Sequence, residues 1–132
     1  MNVRAIIHQV YERQTKPASV EDFWAKGGCL AWPGQCSKAI TGTDPTESFR
    51  AQFSTEAGAL AFLVDQSLAD YVAKVYPEVP VSFARSGDWA LVANEDGSEG
   101  LGVVMGSQIA VSTPLGIGTV SLLRAASAYR VR

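Results

Sequence analysis

Val3, Ile6, Ile7, Val10 and Tyr11 recur at the i, i+3, i+4, i+7, i+8 spacing of one helix face, and Lys16-Pro17 is where a helix would stop. A short amphipathic stretch, Ser19 to Trp24, follows. After Lys26-Gly27-Gly28 the pattern predicts a second helical segment from about Cys29 to Ile40, closed by Thr41-Gly42 as a glycine C-cap closes a helix. Pro33-Gly34 lies inside it. Proline lacks an N–H and glycine weakens a helix, so either the helix starts near Pro33 or its first turn is irregular.

Asp44-Pro45-Thr46-Glu47 has an acidic cap, proline at the first helical position and glutamate at the third, which predicts a short helix through Phe49 and Phe53. Ser54-Thr55-Glu56 restarts a helix with Ala57, Leu60, Ala61 and Val64 on its apolar face; Leu68, Tyr71, Val72 and Val75 continue the spacing, and Tyr76-Pro77 ends it. From Val79 the period becomes two, through Val81 and Phe83. Turn signals then recur at Ser86-Gly87-Asp88, Asp96-Gly97, Gly106-Ser107 and Pro114-Leu115-Gly116. Strands are predicted near 89–94, 101–105, 108–113, 117–123 and 128–131, as an antiparallel meander. The class is α+β, with helices first.

The 132 residues, 47% hydrophobic, suit one domain spanning 1–132 that buries its own core. Eleven Lys and Arg against thirteen Asp and Glu give a formal charge of -2, with the basic residues scattered along the sequence, so nucleic acid is not expected as a partner. No apolar run is long enough for a membrane span, and the N-terminal residues do not read as a signal peptide. Two cysteines and one histidine cannot complete a structural zinc site, and neither metal nor cofactor is expected. Were the segment between Cys29 and Cys36 regular helix, about 10 Å of axial rise would separate them, too far for a disulfide, so both thiols should be free.

Gly100-Leu101-Gly102-Val103-Val104-Met105-Gly106 differs in spacing from a dinucleotide-binding loop and precedes a strand, so close strand packing explains it better. Trp24, Trp32 and Trp89 are dispersed and read as core residues. His8 lies away from the centre of its helix's apolar stripe and should reach water or a helix neighbour. Asp88 reads as a turn residue capping its own backbone. Cys29 is the candidate for chemistry: at the start of a helical segment, free N–H groups and the helix dipole can stabilise a thiolate. The alternative is a small buried hydrophobe.

Several segments in order carry a resemblance across residues 24–131: Gly28-Cys29-Leu30, Thr41-Gly42-Thr43-Asp44-Pro45, Ser54-Thr55-Glu56-Ala57-Gly58-Ala59, Gly87-Asp88-Trp89-Ala90-Leu91-Val92, Leu101-Gly102-Val103-Val104-Met105-Gly106 and Ala128-Tyr129-Arg130-Val131. Together they resemble an uncharacterised family of phage and prophage proteins, a divergent branch of the NlpC-like, papain-fold cysteine peptidases. The resemblance implies a papain-like α+β domain whose N-terminal helices pack on a C-terminal antiparallel sheet. It puts Cys29 at the nucleophile position, Gly28 where an aspartate precedes the nucleophile, Gly87-Asp88 at the strand-entry pair, and Gly100 where the catalytic histidine stands.

Glycine can neither take the thiol's proton nor protonate a leaving amine. The expectation is therefore a protein without enzymatic activity. It would be a tail-tip or baseplate structural or assembly protein of a phage or prophage, assembled in the host cytoplasm, built into the virion tail and held by neighbouring tail proteins near the hub, baseplate or tape measure. The alternative is a cysteine peptidase or amidase that trims cell-wall peptide during phage entry; a toxin or immunity-type domain on the same fold is a third reading.

Overall fold

In the computed structural model, which describes residues 2–63, 67–94 and 97–132, the helical half comes first. Helix α1 (Val3–Glu12) is capped by Asn2, whose side chain accepts from the Ala5 N–H, and buries Val3, Ile7 and Val10. Helix α2 (Val20–Ala25) is capped by Ser19. A 3-10 turn, Gly28–Leu30, leads into α3 (Ala31–Thr41), closed by Gly42. The irregular first turn is thus the outcome at Pro33: the proline sits third in α3, where its missing N–H has no helical acceptor to lose.

Helix α4 (Glu47–Arg50) is shorter than the Phe49–Phe53 spacing suggests; hydrogen-bonded turns carry the chain on to Phe53. The single helix expected from Glu56 to Val75 is two, α5 (Glu56–Phe62) and α6 (Leu68–Val75). Ser67 and Asp70 form a capping box at the start of α6, which satisfies its first N–H groups and starts a new helix within the apolar spacing. Among the described side chains of α5, Ala59 is buried, while Ala57, Leu60 and Ala61 of the expected apolar face are exposed. Val64 lies outside the described residues.

Six antiparallel strands follow: β1 (Glu78–Val79), β2 (Trp89–Ala93), β3 (Glu99–Met105), β4 (Gln108–Thr113), β5 (Gly116–Ser121) and β6 (Ala125–Tyr129). Their order is β1-β6-β2-β3-β4-β5, a meander from β2 to β5 with β6 returned to the far side of β2. The Val79, Val81, Phe83 alternation is not a strand. Pro80 follows the two residues of β1, and Val81–Phe83 is a 3-10 turn that leaves Phe83 69% exposed. The strand expected near 117–123 stops at Ser121, and Leu122–Arg124 forms another 3-10 turn.

That last turn shapes the sheet. Four residue steps from Ser121 to Ala125 reach at most about 14 Å. With β4, β3 and β2 between them, a flat sheet would hold β5 and β6 about 19 Å apart. The sheet must therefore curl. Ala90, Val92, Val104 and Ile109 form a small core in the hollow, closed by Val120, Leu122 and Ala125. Leu91, Leu101, Val103 and Ala110 point the other way, into the main core with α1, α3 and α6. The central strands β2 and β3 are thus covered on both faces and read as almost unbroken runs of buried residues.

Two buried carboxylates tie segments together. Asp88, fully buried, accepts from the Arg85 N–H at 3.0 Å, as a turn-capping aspartate does. It also accepts from Arg130 Nε at 3.1 Å and the Val131 N–H at 3.3 Å, so it fastens the residues after β6 to the entry of β2. Asp44 accepts from the N–H and hydroxyl of Thr46 and pairs with Arg50. Thr46 and Asp44 fill the space beside Gly34, where a Cβ would overlap both side chains.

Gly34→Ala is therefore expected to destabilise the fold by about 1–3 kcal/mol through overpacking, although helix propensity alone predicts a gain of up to about 1 kcal/mol. Equilibrium urea denaturation separates the two signs. Asp88→Asn, which leaves Arg130 without its anion, should lower stability by about 3 kcal/mol in the same measurement.

Candidate functional site

Cys29 sits in the middle of the 3-10 turn, between Gly28 and Leu30, and is half-buried. Gly28 has φ +60, a backbone that side chains rarely adopt, and a Cβ there would run into the six-membered ring of Trp24. The Trp24 ring therefore leaves no room for an aspartate next to the thiol. The turn packs against β3 and β4, and Trp32, in the first turn of α3, donates its indole N–H to the Ala110 carbonyl at 3.0 Å.

This packing brings Cys29 to β3. The backbone N–H of Leu101 faces the sulfur, as does the N–H of Cys29 itself. Leu101 lies one residue before the first β3–β4 pair, Gly102 with Val111, so the thiol meets β3 where β4 has parted from it. Burial nevertheless pushes the Cys29 thiol above its ordinary range, outweighing both N–H groups. The expected help from a helix N-terminus is small for a local reason: α3 starts only at Ala31, and the Ala31 N–H is already bonded to the Gly28 carbonyl.

Gly100 is brought into the same neighbourhood, next to Leu101. A Cβ at Gly100 would have ordinary contacts, 3.8 Å from Asn94 Nδ2 and 3.9 Å from Val111 Cγ1. Val111 belongs to the hollow of the sheet, whereas Cys29 packs with the helix-side core. A side chain at position 100 therefore leaves β3 on the face away from the sulfur, and Leu101 is the neighbour facing it. Gly102 is glycine for space: a Cβ there would meet Ile109 and, at 2.9 Å, the Ala110 carbonyl that Trp32 uses. Close strand packing, as expected, accounts for Gly102, whereas Gly100 has room for a side chain and Gly106 takes the φ +64 of its turn.

His8 pairs with Glu12 at 2.8 Å, stacks on Tyr11 and keeps 61% of its side chain exposed, the helix-neighbour role expected of it. Asp88 is committed to Arg85, Arg130 and Val131 and is not aimed at the thiol. Cys36 is fully buried, its thiol also pushed up by burial, and both cysteines are free. Trp32 and Trp89 are core, and Trp24 shields Gly28. Among the described residues no cluster of three His, Cys, Asp or Glu could hold a metal, and no helix is long and apolar enough to cross a membrane.

Sequence reasoning missed the role of Trp24 and of the Leu101 N–H; only the Trp24-x-x-x-Gly28 spacing hints at the first. Concavities among the described residues lie elsewhere. One, of about 310 Å³, lies between the end of α1 and the β4–β5 hairpin. Another, of about 600 Å³, opens between the 3-10 turns Val81–Phe83 and Leu122–Arg124.

Both thiols bind their protons more tightly folded than unfolded. Their contribution to stability is complete below the unfolded thiol value of about 8.5 and is lost as pH rises towards the folded values. Iodoacetamide should accordingly modify Cys29 more slowly than a free thiol peptide at pH 7, with a rate that climbs only above pH 9, and should leave Cys36 untouched until unfolding. A plateau of fast Cys29 alkylation reached below pH 7 would contradict this assignment.

None of the curated proteins matches the sequence. A family model, described as a domain of unknown function, DUF6950, matches residues 5–131. With nearly its whole length matched, the chain belongs to the DUF6950 family.

Proposed function

We propose that the protein is a non-enzymatic structural or assembly component of a phage or prophage tail, at the tail tip or baseplate, built on a degenerate NlpC-like, papain-type domain. The observation that carries the non-enzymatic part is the state of Cys29. The thiol at the nucleophile position is raised, not lowered, and faces backbone N–H groups and Leu101 where a peptidase needs a base. The tail assignment rests on the ordered resemblance across residues 24–131. The helices-then-antiparallel-sheet architecture, with Cys29 in the 3-10 turn that precedes a helix packed on β3, is compatible with a papain-type ancestry.

In this reading the domain works through its surfaces, held in the virion tail by contacts with other tail proteins. The buried pairs Asp88–Arg130 and Asp44–Arg50 and the two-sided sheet keep the fold intact without any contribution from catalysis.

Deleting the gene from the phage or prophage that encodes it should give particles with absent or malformed tail tips in negative-stain electron micrographs, and a Cys29→Ala copy supplied in trans should restore infectivity. Normal, infectious particles without the protein would end the tail reading. Intact particles that fail to infect with Cys29→Ala, while the folded variant keeps its melting temperature, would instead favour the peptidase or amidase of cell-wall peptides.

A further inference from the structure

We infer that the groove between the 3-10 turns Val81–Phe83 and Leu122–Arg124 is a docking site for an acidic, extended segment of a partner protein that carries an aliphatic or aromatic anchor. It goes beyond the tail reading and depends on neither that reading nor Cys29. The groove, about 600 Å³, is floored by Val81, Val120 and Leu122 and edged by Ser82, Ser107 and Ser121. Leu123 lines it at 93% exposure, and Phe83, next in sequence to the lining residue Ser82, is 69% exposed. Leu122 already closes the hollow of the sheet, so Leu123 is not needed there.

The charge around this groove is opposite to that of the whole chain. Arg124 follows Leu123 directly, and Arg85 stands two residues beyond Phe83 and reaches the Arg132 carbonyl. The Arg4 guanidinium lies against Gly106, whose N–H is bonded to Ser86 and which precedes the groove residue Ser107. All three arginines are exposed. Asp88 is turned inward and neutralised by Arg130, and among the described residues Glu78, paired across to Tyr129, is the surface carboxylate placed at this end. Residues scattered from position 4 to 124 are gathered by the topology into a cationic rim on a chain of formal charge -2. Apolar lips inside a cationic rim complement carboxylates flanking an apolar anchor.

The shape selects a peptide over a bilayer. A concave slot edged by hydroxyls suits a main chain with one or two side chains inserted, whereas a lipid surface is met by a flat or convex face. The groove also borders the end of β5, the terminal strand of the sheet. Gly116–Ser121 carries neither charge nor proline, the devices that protect an edge from pairing, so an extended segment can add along it.

The test is selection of a ribosome-displayed library of random 12-residue peptides on the full chain at low salt, followed by fluorescence polarisation and amide shift mapping with the enriched sequences. Enriched peptides should combine Asp or Glu with Leu, Ile or Phe, shift the amides of Ser82, Ser107 and residues 119–123, and weaken as salt is raised. Leu123→Ser, and Arg85→Glu with Arg124→Glu, should each weaken binding at least tenfold at unchanged melting temperature, while Arg13→Glu on α1 should not. Failure to enrich any peptide, enrichment without acidic residues, or shifts elsewhere on the chain would overturn the proposal. Tighter binding to vesicles containing phosphatidylserine or to single-stranded DNA, abolished by the same variants, would overturn it in favour of those surfaces.

Discussion

The indole N–H of Trp32, 3.0 Å from the Ala110 carbonyl, is a buried bond that joins the helical half of the chain to the sheet half. It seats α3 on β3 and β4, and Gly102 leaves that carbonyl uncrowded from the strand beside it. Much else is placed by it. The 3-10 turn before α3 is pressed onto β3, so Cys29 meets the Leu101 N–H; Gly34, one turn inside α3, receives Asp44 and Thr46; and Ile40, near its C-terminal end, closes over Gly87 at the entry of β2. An unpaired Trp N–H or carbonyl in this dry interface would cost about 1–3 kcal/mol, so the bond fixes the seating of the helix as well as adding stability.

Cys29 illustrates how two effects on one sulfur are weighed. Backbone donors favour the thiolate and burial disfavours it; against one N–H from Leu101 and its own N–H, burial wins. An activated thiol would need a helix beginning at Cys29, with several unused N–H groups pointing at it. The observed 3-10 turn spends the Ala31 N–H on Gly28, and the Trp24 ring closes the side on which an acid would stand. The same packing that anchors the helix therefore leaves the thiol unprimed.

Much of the fold was legible because it rests on local rules. The spacing of Val3, Ile7 and Val10, the caps at Ser19 and Thr55, Gly42, and the turns at Gly87, Gly106 and Gly116 each act within a few residues. The break between α5 and α6 was missed although Ser67-x-x-Asp70 signalled it, because apolar periodicity across the gap outweighed a polar cap. The outward turn of Leu60 was not legible at all, since the spacing of α5 names a stripe but not what covers it. Of the candidate site, Cys29 was visible from its setting after two glycines. Its partner was not: the Leu101 N–H is a backbone group that no side-chain motif reports, and the face taken by position 100 follows from strand parity against Val111.

The arginine rim shows a further limit of one-dimensional charge reading. Arg4, Arg85 and Arg124 are isolated in the sequence and count as dispersed, yet the curl of the sheet brings β5 round to the link between β1 and β2, while α1 sets its first turn beside the β3–β4 turn. The three-residue passage from β5 to β6 enforces that curl, and the same passage exposes Leu123 because three residues cannot turn every side chain inward while crossing the hollow. Topology thus creates the apolar lip and the cationic rim in one step. Neither is needed for the buried networks at Asp88 and Asp44, which hold the fold from inside, so this end of the surface is free to be shaped by what binds it.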